Sequence, residues 1–228
     1  MADNKDEPIV DVQGALTRSE SFIENNKKSI LVILVAIVGL VAIWLLYREF
    51  IFKPDVVAAE EEVLFAEKYL EKDSFRLALN GDGVNKGFLD IIDEFGNTPS
   101  GNASKYYAGI CYYQLGNYEE CIETLKDFDP KGIIVGPIAN ILIGDANMEL
   151  GKPEVAAEFY LKGANMDRNE MTTPLGLMKA GKAYEDLGNF ADAVAVYEQI
   201  KSEYPESTEG KEIDKYLAYA RTMSDIEQ

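Results

Sequence analysis

Among 228 residues the chain has no histidine at all. That absence removes His-based catalytic triads, histidine-ligated zinc and the commonest general base. Cysteine is nearly as scarce: only Cys111 and Cys121 occur, too far apart for a CxxC redox site. Basic residues are few as well, 22 against 40 acids, for a net charge of −18. Residues 54–228 alone hold 33 acids and 16 bases. A surface so acidic repels phosphate backbones, which excludes nucleic acid and favours solubility or basic partners. Close carboxylate pairs such as Glu119/Glu120 and Glu185/Asp186 could suggest a hydrolase. They fall on exposed helix faces or turns, with no nucleophile–base pairing, phosphate loop or metal spacing nearby. No catalytic residue, cofactor, metal or small-molecule substrate is expected, and the chain does not read as an enzyme.

Long apolar runs are also lacking, with one exception. From Ser29 to Tyr47 no residue is charged, and most are Ile, Leu, Val or Ala. As a helix this run would be roughly 28 Å long, close to the hydrocarbon thickness of a bilayer. Trp44, Tyr47, Phe50 and Phe52 cluster at one end and Lys27 and Lys28 at the other, as interfacial anchors do. A cleaved signal peptide is the main rival. Against it stand six acids in the first 28 residues and the lack of a nearby small-x-small site. The basic residues flanking the run are almost balanced, so charge does not set the orientation. Ala36, Gly39 and Ala42 form a strip of small residues three apart, a candidate contact for a partner helix in lipid.

The rest of the chain carries an internal repeat. Gly109/Gly116, Gly144/Gly151 and Gly181/Gly188 are each seven residues apart, and the first glycine recurs after 35 and then 37 residues. Five positions beyond each second glycine lies a small residue: Cys121, Ala156, Ala193. Four further on lies a large one: Leu125, Tyr160, Tyr197. This period marks a helix–turn–helix unit stacked into a solenoid. Cys111 and Cys121 occupy positions held by alanine in the other repeats, so they read as small core residues, with a disulfide between them left open.

The organisation expected is therefore all-α. Residues 1–28 form a partly disordered tail, with disorder over 1–16 and possible capping boxes at Thr17 and Ser21; residues 29–47 are a transmembrane helix and 48–55 a linker. Residues 56–101 form a degenerate first hairpin, with helices from Val56 to about Leu79 and from Val84 to Phe95. Three repeats fill 102–207, and 208–228 hold a capping helix and tail. Pro99, Pro130 and Pro205 are read as stops for the helices before them.

Gly181, Tyr184, Ala193, Tyr197 and Pro205 resemble the small, aromatic, small, aromatic and proline positions of the tetratricopeptide repeat family. Gly109, Tyr112, Cys121 and Leu125 match slightly less well. The resemblance implies a tetratricopeptide-type α-solenoid of helical hairpins whose first helices line a partner-binding groove. The groove residues would be Tyr106, Ile110 and Tyr113, then Ile141, Asp145 and Met148, then Met178, Lys182 and Glu185. The layout is also similar to the single-pass ancillary tetratricopeptide subunit of the bacterial Sec translocon. The segment Ser21-Phe22-Ile23-Glu24-Asn25-Asn26-Lys27-Lys28 resembles that family's lead-in to its span. This implies an inner-membrane protein with a cytoplasmic N-terminus and a periplasmic repeat domain. Its partners would be translocon subunits, periplasmic chaperones and exported polypeptides, and its role that of an adaptor handing emerging chains to chaperones. The alternatives are a scaffold in another cell-envelope complex, or a cytosol-facing organelle receptor. The second is disfavoured, because the clamp-equivalent positions hold Tyr106, Ile110, Leu142, Leu175 and Lys179, only the last of them basic.

Overall fold

The computed structural model describes residues 12–226, all of whose regular elements are helices. The chain divides between Pro54 and Asp55 into two units.

The first unit is the helix α1 (Val12–Tyr47) followed by a π turn, Arg48–Phe52. The described apolar side chains of α1 are exposed, Val32 and Leu40 to 67 % each. The helix is long and apolar enough to cross a membrane, which makes it a candidate span. Of the tail expected to be disordered, residues 1–11 lie outside the described residues and 12–16 are helical. Thr17 and Ser21 therefore lie inside α1 rather than at its start. The expected linker at 48–55 is helical too. Lys53 donates its backbone N–H to the Arg48 carbonyl, a five-residue step. In a regular α-helix the Pro54 ring would clash with the carbonyl four residues back; the wider π turn accommodates it.

All but the first two residues of α2 (Lys53–Leu70) belong to the second unit, where it buries Ala59, Val63 and Ala66 on the face expected from their spacing. The single helix anticipated up to Leu79 is in fact two. Asp73 adopts a left-handed φ of 54° and ends the first, and α3 (Phe75–Asn80) follows. Aspartate tolerates that conformation better than most residues. Val84 is 91 % exposed and belongs to a loop. The loop is tied by Asp82, which accepts hydrogen bonds from the backbone of Val84 and Asn85 and from the Tyr69 hydroxyl. The helix α4 (Phe88–Phe95) begins only after it and buries Phe88, Ile91 and Phe95.

Three hairpins follow: α5 (Pro99–Gln114) with α6 (Tyr118–Lys126), α7 (Val135–Glu149) with α8 (Pro153–Met166), and α9 (Thr172–Asp186) with α10 (Phe190–Glu203). Pro99 not only follows a helix end but starts the next helix, at the position where a missing N–H is harmless, and Thr98 Oγ1 accepts from Gly101 N at 3.0 Å. The two glycines of each repeat do different things. A Cβ on Gly109, Gly144 or Gly181 would lie 2.5, 2.5 or 2.2 Å from the nearest side-chain atom of Leu125, Tyr160 or Tyr197. The large residue of each second helix thus rests on the bare backbone of the first. The second glycines, Gly116, Gly151 and Gly188, have φ of 79°, 67° and 75°, and at the first two a Cβ would meet open space. They end the first helix in a left-handed turn. The helix α11 (Thr208–Ile226) buries Ile213, Leu217 and Ala220 against α10 and closes the stack.

Cys111 and Cys121 are free and completely buried on facing helices. Their counterparts Ala146, Ala156, Ala183 and Ala193 are equally buried. Burial pushes both thiols up to about 12, from an ordinary 9.0. Because the folded state favours the neutral thiol, its contribution to stability is complete below pH 9 and is lost as pH rises toward 12. Neither cysteine should react with iodoacetamide at pH 8 in the native protein, and both should react in guanidinium; mass spectrometry of alkylated peptides reads this directly. Rapid native labelling would show that this hairpin opens.

Candidate partner-binding groove

On the side formed by α7, α9 and α11 the second unit carries a groove of about 440 Å³. Leu175 and Met178 on α9 and Met148 on α7 form its apolar floor, which the Tyr160 ring from α8 extends. Lys179 and Lys182 rise from α9, and Glu209, Glu212 and Tyr216 of α11 make the far wall. The walls are set by short-range pairings. Lys179 Nζ donates to Asp145 Oδ1 at 2.7 Å, joining α9 to α7, and stands 5.7 Å over the Tyr160 ring. The Tyr160 hydroxyl donates to the same carboxylate oxygen at 2.6 Å. Burial, reinforced by that carboxylate, pushes the Tyr160 phenol well above its usual range. Across the groove Lys182 lies 5.2 Å over the Tyr216 ring, and Lys215 holds the Glu212 carboxyl below its ordinary value by hydrogen bonding.

Three of the nine groove candidates, Met148, Met178 and Lys182, come together on this surface. Asp145 supports it through Lys179 and Tyr160. Ile141 is not a groove residue. At 3 % exposure it packs among Ala156, Ala157 and Tyr160, because Gly163 of α8 lets the two helices approach closely. Glu185 accepts from the Tyr197 hydroxyl at 3.1 Å; burial outweighs that donation and raises its carboxyl pKa. Tyr106 packs against Tyr107 and Phe128, and Tyr113 edge-on against Tyr118, so both serve aromatic packing around the first repeat. Ile110 is half-buried beside them.

Sequence reasoning named Leu175 and Lys179 only as clamp-equivalent positions of a disfavoured reading, did not place Tyr160 in a groove, and missed the α11 wall. Tyr160 carried a signal as the large residue of its repeat, but its hydroxyl's reach to Asp145 depends on the crossing of α7 and α8. Nothing in the amphipathic pattern of α11 says that its acidic face turns toward the groove.

The arrangement can bind an extended or helical peptide by apolar anchoring, with charge at the rim. Models of the tetratricopeptide repeat family match residues 103–128, 138–170 and 176–207. These three stretches are tetratricopeptide repeats. The tetratricopeptide fold is typically a non-catalytic scaffold for protein–protein interaction. A crystal structure of nearly identical TPR-like repeats from Podosopora anserina, described as those of a kinesin light chain, has the same fold. It superposes with a TM-score of 0.53 at 16 % identity, over 73 % of this chain and 86 % of that one. No curated protein matches the sequence.

Proposed function

We propose that this protein is a membrane-anchored tetratricopeptide adaptor whose groove captures polypeptides at a site of protein export. The single observation that carries the binding role is the groove itself. A methionine- and leucine-lined floor with lysines and carboxylates at its rim suits an apolar side chain flanked by polar backbone and charge. The anchor then raises the effective concentration of the groove near a membrane-bound machine. The lead-in before the span and the order of tail, apolar helix and repeats support the bacterial inner membrane. In that reading the N-terminus is cytoplasmic, the repeats periplasmic, and the partners are translocon subunits, periplasmic chaperones and exported chains. Ala36, Gly39 and Ala42 would supply the contact within the membrane; space for a neighbour exists at Gly39, whose missing Cβ meets nothing within 4 Å.

Two measurements test this together. Protease added to intact spheroplasts should digest the repeats and spare the tail; protected repeats would overturn the orientation and with it the export role. A photocrosslinker at Lys182 should then capture emerging exported chains or chaperones, while one at Lys201, outside the groove, should not. Equal yields from both positions would remove the groove from the function.

A further inference from the structure

The second helices of the three repeats differ in length: α8 and α10 have 14 residues each, α6 only 9. Asp127-Phe128-Asp129-Pro130 ends α6 early, and the chain crosses to α7 as a loop. The missing turns leave a notch between α6, α7 and α8, remote from the groove. It is a pocket of about 130 Å³ walled by Leu125, Phe128, Ala139, Ile143 and Met166. For scale, a dry cavity of roughly 150 Å³ accepts a benzene ring. Two exposed lysines, Lys126 of α6 and Lys162 of α8, line its mouth. Their ammonium groups lie 5.6 and 5.4 Å from the centroid of one ring, that of Phe159. Neither makes an ion pair among the described residues, although acids outnumber bases two to one in this part of the chain. The floor offers no free donor at Asn140, whose Nδ2 donates to the Gly136 carbonyl at 2.9 Å and to Met166 Sδ at 3.5 Å.

We propose that this notch binds a small apolar carboxylate, a phenyl- or isobutyl-sized group in the pocket with its carboxylate held between Lys126 and Lys162. An apolar pocket of this size selects a single ring or branched aliphatic group. Two unpaired cations beside an aromatic face supply an anion's counter-charge where the surrounding surface would repel it. The same chemistry comes from two sources, a free acid or the C-terminal residue of a polypeptide.

The test uses the full chain in nanodiscs, by isothermal titration with phenylacetate, with a pentapeptide ending in phenylalanine, and with that peptide's C-terminal amide. Empty nanodiscs give the lipid-partition background. The expected result is that at least one free carboxylate binds at least tenfold more tightly than the amide. The Lys126→Gln/Lys162→Gln protein should lose that advantage with an unchanged melting temperature. Tighter binding of the peptide acid identifies a chain terminus as the ligand, and tighter binding of phenylacetate a free acid. Acid and amide binding alike, binding no stronger than to empty nanodiscs, or binding untouched by the double substitution overturns the proposal.

Discussion

Gly181→Leu is expected to lower the melting temperature of a 55–228 fragment by roughly 6–12 °C, a loss of about 3 kcal/mol. A Cβ alone at this position lies 2.2 Å from Tyr197 Cε1 and 2.6 Å from Cζ, so the ring must move before any longer side chain is considered. Tyr197 has nowhere to go. It is fully buried, and its hydroxyl is held by Glu185 at 3.1 Å. Gly188, only seven residues away, makes the control. Its constraint is a left-handed φ of 75°. Gly188→Ala should therefore cost about 1 kcal/mol through backbone strain. Thermal or urea melts that rank the two substitutions equally would contradict the division of labour between the glycines.

Asp145→Ala should cost about 2 kcal/mol, most of it through Tyr160 rather than through Lys179. The tyrosine is 3 % exposed, and its hydroxyl loses its acceptor, whereas Lys179 retains enough access to water to be solvated. Tyr160→Phe removes the same hydrogen bond from the other side without leaving a buried donor unpaired, and should cost about 1 kcal/mol or less. The double variant should then be scarcely less stable than Asp145→Ala alone. Asp145→Asn keeps an acceptor and should be the mildest. Strictly additive losses in urea unfolding would show that the ion pair, not the buried tyrosine, is what matters. Because Asp145 positions Lys179 at the groove, Asp145→Ala should also weaken crosslinking from Lys182.

Much of this molecule follows from local sequence alone. Helices, turns and the seven-residue glycine code are short-range matters. A left-handed turn needs a glycine within the turn, and a close crossing needs a missing side chain one helix-length earlier. The glycine spacing therefore marked where two helices could cross closely, while the structure showed that Leu125, Tyr160 and Tyr197 are what meet Gly109, Gly144 and Gly181 there. The apolar run of α1 and the small buried positions of Cys111 and Cys121 were legible for the same reason: each depends on composition or on one repeat compared with the next. What the sequence did not settle depends on long-range packing or on local conformations that its periodicity conceals. The break at Asp73 and the helix through Pro54 turn on a single left-handed residue and a single π turn, neither of which alters the apolar spacing. The groove and the notch belong to the tertiary structure alone. One forms because α11 folds back alongside α9, and the other because α6 stops short while α8 does not. Each surface is the gap between elements distant in the chain, and a gap of that kind has no residue pattern of its own.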